Sequence, residues 1–472
     1  MSKIFNKLKG EIFMEILNKL VAEIDDFYCN ADKIKVMPSV KPEEIRDHLL
    51  EKYTFNEPIE LESIMDDVSD MMRKWSLHTT HPRYFGLFNP AVGMSSIIAD
   101  SLTALYNPQL AAWSHSPAAV EIEQWTLNFL LTKFGFDPKS SAANFTTGGA
   151  ETNLSAVLVA LTNTFPEYGD KGIFNLESQP TIYISSEAHH SFNKIAHSVG
   201  LGRNAIRRIK VDHSLKMDTE DLKAQIKNDR EKGYTPFMVV ATAGTTASGV
   251  IDPLVQIGEI CSRENLWLHV DAAWGGAAIL SERLKIHLKG IELADSITCD
   301  AHKWFSVSMG AGMFFCKHRH SVERAFSVET NYMPSETNNA IDNYVNSIQW
   351  SRRFIGLKVF MALAELGVEG FAKIIEHQSK MGDVLRERLA SKGWKIVNDT
   401  PLPVVCFTKD QGLDKVDIAK IIEYLYEKGS VWISQTSLNN NIVLRACITN
   451  FKTQEDDIDF LIKELEDAEN SK

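Results

Sequence analysis

Leu268-His269-Val270-Asp271-Ala272-Ala273 and, about one strand-and-crossover unit later, Asp300-Ala301-His302-Lys303-Trp304 are the stretches from which the fold of this chain is read. The apolar run ending at Asp271 predicts a buried strand with a carboxylate at its carboxyl end. Lys303 brings a primary amine to the next unit. Such an amine condenses with an aldehyde and is later displaced by a substrate amine. A carboxylate beside a pyridine nitrogen favours the protonated ring. The two together are what a pyridoxal phosphate (PLP) site requires. Each fragment also has an ordinary reading: His-Lys pairs are commonly solvated surface, and a strand-end Asp commonly caps a helix. The neighbouring segments decide between the readings.

Phe145-Thr146-Thr147-Gly148-Gly149-Ala150-Glu151-Thr152-Asn153 offers two glycines ahead of a helix expected over 150–161. Close backbone approach and a helix amino end suit a phosphate. In Glu187-Ala188-His189-His190-Ser191, after an expected strand, one imidazole can lie on a pyridine ring as offset-stacked aromatic faces do. Neighbouring side chains diverge, so only one of the pair can; His189 is chosen, with His190 as the alternative. Thr242-Ala243-Gly244-Thr245-Thr246-Ala247-Ser248-Gly249 reads as a small polar loop whose hydroxyls can bond a cofactor. Asp252-Pro253 then opens a helix. Each site repeats the order strand, small polar loop, helix, as an α/β protein does when it binds ligand at the carboxyl ends of its strands.

Residues 1 to about 95 read as a helical arm broken by Pro38, Pro42 and Pro58. Over 96–345, strands expected at 181–184, 207–211, 237–241, 266–270, 296–299 and 313–316 alternate with helices. One of these runs over 121–133 with Ile122, Trp125 and Phe129 on one face. That pattern predicts an α/β unit with a mostly parallel central sheet. Residues 346–472 read as a smaller α+β unit. Its long helix is expected over 352–366, its strands at 404–407, 431–434 and 442–446, and its helices over 415–427 and 454–469.

From Val36-Met37-Pro38 to the last helix the chain resembles the group II PLP-dependent decarboxylases. His81-Pro82-Arg83-Tyr84-Phe85, Ser116-Pro117-Ala118, Thr147-Gly148-Gly149, Glu187-Ala188-His189, His269-Val270-Asp271-Ala272-Ala273 and His302-Lys303-Trp304 fall in that family's order. The resemblance implies the PLP-dependent transferase fold type I that aminotransferases share. It makes Lys303 the Schiff-base lysine, Asp271 the pyridinium partner, and His189 and Ala273 the residues on the two ring faces. It gives the phosphate to Thr147, Gly148, Gly149 and His302, and sets Thr246 near the cofactor. It also implies an obligate homodimer with the active site at the subunit interface. Asp300 departs from the Asn many members carry. Either it points away from the phosphate or a cation compensates it.

The resemblance names a cofactor before it names a reaction. Phe326-Ser327-Val328-Glu329-Thr330-Asn331-Tyr332-Met333-Pro334-Ser335 has the composition of a mobile loop. In the resembled family this segment is a lid whose tyrosine returns the proton after decarboxylation, and Tyr332 stands at the matching place. Decarboxylation of an L-amino acid to the amine and CO2 is therefore expected. The alternatives are aldehyde-forming oxidation and transamination. His81 to Asn89 aligns with the segment lining the family's side-chain pocket. Phe85, Phe88 and Trp113 would suit an aromatic or bulky substrate, whereas Asn89 and Arg445 would suit a polar, acidic or diamino one.

The 472 residues suffice for two or three domains, and 44% hydrophobic content suits a globular enzyme. A net charge of −12 argues against nucleic acid and anionic membranes as partners. Six scattered cysteines without CxxC spacing read as reduced. No run reaches the ~18 apolar residues of a membrane span, and the first twenty residues suit an amphipathic helix better than a signal peptide, so a cytoplasmic address is expected. No metal is expected: His78 and His81 lie in a loop-like stretch without further ligands.

Overall fold

The computed structural model of the chain describes residues 11–328 and 341–471. Numbering the helices of eight residues or more, α1 (Glu11–Asn30), α2 (Pro42–Lys52) and α3 (Leu61–Trp75) come first, then α4 (Met94–Tyr106) and α5 (Pro117–Lys133). Pro42 and Pro117 each stand at a helix start, where the missing N–H is not needed. On α5, Trp125 is 72% exposed, while Ile122 and Phe129 are half-buried against the core. Leu127, Leu130 and Leu131 turn inward, beside a buried ion pair between Glu123 and Arg352.

A seven-stranded sheet follows. It comprises β1 (Ala142–Thr146), β2 (Pro180–Ser185), β3 (Ile206–Ile209), β4 (Thr235–Thr242), β5 (Trp267–Asp271), β6 (Ser296–Asp300) and β7 (Gly312–Cys316), in the order β1-β7-β6-β5-β4-β2-β3. β3, β2, β4, β5 and β6 run parallel, and β7 opposes both its neighbours. β2, β4, β5 and β6 are buried on both faces almost throughout, as in a parallel sheet under helices. The covering helices are α6 (Gly149–Thr164), α7 (Ser191–Ser198), α8 (Thr219–Glu231), α9 (Leu254–Glu264) and α10 (Arg319–Phe326).

β1 was not anticipated from the sequence. Its Ala-Ala-Asn start carries no apolar alternation, and its burial comes from pairing with β7.

α11 (Gly356–Ser391) is longer than the helix expected over 352–366 and contains one non-helical residue, Gly367. It leads to a four-stranded antiparallel sheet of β8 (Trp394–Ile396), β9 (Val404–Lys409), β10 (Ser434–Leu438) and β11 (Asn441–Cys447), ordered β10-β11-β9-β8. α12 (Lys415–Lys428) and α13 (Glu455–Asn470) complete this unit, whose core joins Leu385 and Leu389 to Phe407, Leu425, Leu444 and Leu461. The strand expected at 431–434 is corrected: β10 begins at Ser434. Val431 and Ile433 are apolar because they fill the core, while Trp432 bridges to Tyr84. Among the described residues no helix is long and apolar enough to cross a membrane.

Candidate active site

Adjacent parallel strands β4, β5 and β6 end at Thr242, Asp271 and Asp300, so three side chains emerge at one edge of the sheet. A cavity of about 330 Å3 opens there. Thr147, Gly148, Gly149, His189, Thr246, Asp271, Ala273, His302, Lys303 and Phe88 all border it. The residues read from five separate segments thus meet at one place. His189 faces the cavity, with its Nδ1 accepting from the Ser191 amide at 3.2 Å. His190 turns toward Arg208 instead, 3.4 Å from Nη2.

Asp271 is buried and accepts from the Ala273 amide (3.2 Å) and from Asn153 Nδ2 (3.0 Å). Lys303 Nζ pairs with Asp300 Oδ2 at 3.0 Å, and His302 Nε2 stands 3.8 Å from the same oxygen. Of the two options left open for Asp300, a compensating cation is therefore the one present. Among the described residues its buried Oδ1 has no hydrogen-bond partner. His302 Nδ1 accepts from the Ala311 amide, leaving the proton on Nε2. Burial lowers the pKa of both His189 and His302 below the ordinary imidazole value, so both rings are neutral near pH 7.

The glycine pair does what close approach requires. A Cβ on Gly149 would fall 2.8 Å from Asp300 Oδ2, and one on Gly148 would fall 3.4 Å from His302 Cε1. A side chain at either position would fill the hollow beside the start of α6. Thr147 differs from expectation in one respect: its amide and hydroxyl donate to Glu151 Oε2 at 2.9 and 2.7 Å. Gln349 Nε2 donates to the same carboxylate. An anion taking the Thr147 donors has to displace Glu151.

The expected substrate residues separate. Phe88 lines the cavity, stacked on Trp274 with centroids 4.5 Å apart, and Lys303 Nζ lies 5.7 Å from its ring centre. Arg445 lies behind Phe88, its Cζ 5.2 Å from the ring centre. It donates to the carbonyls of Gly86, Thr246 and Ala247, and among the described residues its buried Nη2 has no partner.

Phe85 is not on the cavity. Its backbone is stitched to Trp432 and Cys447, which turns the ring into the core of the small sheet. Trp113 bonds Glu121 and packs beside Leu110, Ala119, Val120 and Phe354; Asn89 contacts Met309 Sδ. Neither borders the cavity. Tyr332 lies outside the described residues.

Asn153 and Trp274 line the cavity without a role having been read for them in the sequence, and Thr242 joins them from the loop whose hydroxyls were expected there. Asn153 was within reach of sequence reasoning, since it stands one helical turn beyond Gly149. Among the described residues no group of three or more His, Cys, Asp or Glu could hold a metal ion.

A lysine amine, a buried aspartate, an imidazole and a glycine-lined helix start on one cavity fit pyridoxal phosphate. Comparison with known proteins bears on the same point. Residues 42–409 match the family model described as the pyridoxal-dependent decarboxylase conserved domain. An aromatic-L-amino-acid decarboxylase of Bacillus atrophaeus is 31% identical over 389 residues, 80% of this chain and 78% of that protein. The acidic amino acid decarboxylase GADL1 of Bos taurus is 28% identical over 477 residues, covering 97% and 90%. The crystal structure of mouse CSAD superposes with a TM-score of 0.91 at 25% identity, covering 98% of this chain and 99% of that one.

Proposed function

The chain belongs to the pyridoxal-dependent decarboxylases, and from that premise we propose that it converts a bulky, aromatic L-amino acid to the amine and CO2. Its general chemistry is that of a PLP-dependent carboxy-lyase acting on an amino acid. The observation that carries the substrate reading is Phe88, an aromatic wall on the cavity that holds Lys303 Nζ. The name of the Bacillus relative supports it. A second reading, an acidic substrate, is supported by the name of the bovine relative and by Arg445, which does not border the cavity but lies 5.2 Å from the Phe88 ring centre and is of a type suited to a carboxylate.

When bound, pyridoxal phosphate supplies an electron sink for the pair left on the α-carbon as CO2 departs. Lys303 would carry the cofactor and yield to the substrate amine. Asp271 would face the ring nitrogen, with His189 and Ala273 on the two ring faces and Thr246 nearby. Gly148, Gly149 and His302 would receive the phosphate, joined by Thr147 once Glu151 withdraws. The C–COO bond breaks, and one proton is returned to the same carbon by a positioned acid, a role we give to Tyr332.

We keep three regions: the arm of 1–95, the large unit of 96–345 and the small one of 346–472. A homodimer is supported by apolar side chains left exposed on the first helices, Val21, Leu50 and Met72 among them. Sedimentation that stays monomeric at high concentration would refute it.

The test of the function is a product screen. The purified, PLP-loaded enzyme is offered the common L-amino acids plus ornithine, diaminobutyrate and DOPA while CO2, amine and peroxide are followed together. Amine equal to CO2 from aromatic substrates is expected. The same balance from acidic substrates moves the proposal to the second reading. Aldehyde with peroxide, or keto acid without CO2, overturns the decarboxylase assignment.

A further inference from the structure

Behind Asp271 runs a line of buried polar groups that the reaction itself does not use. Trp267 Nε1 can only donate, and it donates to Ser296 Oγ at 2.9 Å. Ser296 Oγ is 2.9 Å from His269 Nδ1, and because the other ring nitrogen faces the amide oxygen of Asn153, an acceptor, a neutral ring carries its hydrogen on Nε2 and accepts at Nδ1. His269 Nε2 lies 3.1 Å from Asn153 Oδ1, which also accepts from Thr298 Oγ1 at 2.6 Å. Two donors on Oδ1 fix the amide's orientation, leaving Nδ2 to donate to Asp271 Oδ2 at 3.0 Å. All six are buried, and Trp267, Ser296, His269 and Thr298 also stand off the cavity that Asn153 and Asp271 border, so a member lost from that inner stretch is not readily replaced by water. Burial also pushes the His269 pKa down to about 4, consistent with a neutral ring.

We infer that Asn153 and His269 are positioning residues that aim the Asp271 carboxylate into the cavity and thereby set how tightly and in what geometry the cofactor ring is held. The inference rests on Asp271 facing that ring. Among the described residues, the other constraints on the Asp271 side chain are its strand end and the Ala273 amide on Oδ1. Without Asn153 its Oδ2 is free to rotate away. The direction of the line matters as much as its presence: a glutamine at 269 can donate to Asn153 and accept from Ser296, whereas a leucine can do neither.

The experiment compares the parent holoenzyme with Asn153→Leu, His269→Leu, His269→Gln and the milder Thr298→Val. For each, the dissociation constant of pyridoxal phosphate, the visible circular dichroism of the bound cofactor and the melting temperature of the cofactor-free protein are measured. Asn153→Leu and His269→Leu are expected to bind the cofactor about ten-fold or more weakly with an altered dichroic band. His269→Gln should stay near the parent. Thr298→Val, which keeps the volume and removes one donor, should weaken binding a few-fold. Unchanged affinity and dichroism in Thr298→Val and Asn153→Leu would overturn the inference. So would His269→Gln behaving like His269→Leu, which would mark a purely structural role. A parent protein that shows no visible cofactor band would instead refute the functional reading on which the inference stands.

Discussion

Lys303 Nζ lies 3.0 Å from Asp300 Oδ2, and that oxygen borders the hollow left by Gly149. The amine that would carry the cofactor is thus paired with an anion placed where a phosphate has to approach. Two unit charges about 5 Å apart at an effective dielectric of 20 interact by about 3 kcal/mol, of which Lys303 offsets a part. Asp300→Asn is therefore expected to bind inorganic phosphate about three- to ten-fold more tightly. Thermal shift of the cofactor-free protein against phosphate concentration reads this directly. Equal or weaker binding would mean that the carboxylate does not act on the anion.

Removing the cation instead leaves a buried carboxylate without its partner. Lys303→Met should abolish turnover and lower the stability of the cofactor-free protein by about 2–4 kcal/mol. The double variant Asp300→Asn/Lys303→Met should recover part of that loss, since the lone charge is then gone. Urea unfolding of the four proteins gives the coupling; additive losses would show that the pair does not interact energetically.

Two buried histidines contribute to the acid side of the stability profile. Burial lowers the pKa of His81 and His269 to about 4, against an ordinary value near 6.5. Between those limits the unfolded chain binds protons that the folded one refuses, so stability falls as pH falls through this window. Asp252, raised to about 6 by burial, works the other way together with Glu123 and Glu187, while His189, His287 and His302, lowered by burial, act in the same sense as His81 and His269. Each histidine contributes a slope of up to about 1.4 kcal/mol per pH unit. Denaturant unfolding from pH 7 to pH 4 should show the decline, and His269→Gln should make it shallower. An unchanged slope in that variant would rule His269 out as a source.

Tyr332→Phe is expected to lower amine output by about 10²-fold or more while peroxide and aldehyde rise. Peroxidase-coupled peroxide detection beside amine quantification distinguishes the two channels. If both product yields match the parent, the proton comes from another group.

Much of the site was legible in the sequence because its parts are local. A strand followed by a small polar loop and a helix is encoded within a dozen residues, as in 266–273 and 145–161. The ends of consecutive parallel strands necessarily share an edge. β1 and the true start of β10 were not legible for the opposite reason. Ala142-Ala143-Asn144 becomes strand only by pairing with β7, and Val431 to Ile433 is apolar for core packing. Phe85 and Phe88 illustrate the same limit three residues apart: identical side chains, one in the small sheet's core and one on the cavity.

The sequence by itself determined the chemistry-bearing set, Lys303, Asp271, His189 and the Gly148-Gly149 pair, and the α/β frame that presents them. Tertiary structure alone decided which histidine of 189 and 190 faces the cavity, that Asp300 pairs with Lys303, and that Asn153 and His269 stand behind Asp271. Reactive groups follow from residue type and from strand and helix periodicity, which are properties of short windows. Pairings between residues 118 apart, such as Asn153 with Asp271, depend on how strands cross and stack, and no local window encodes that distance.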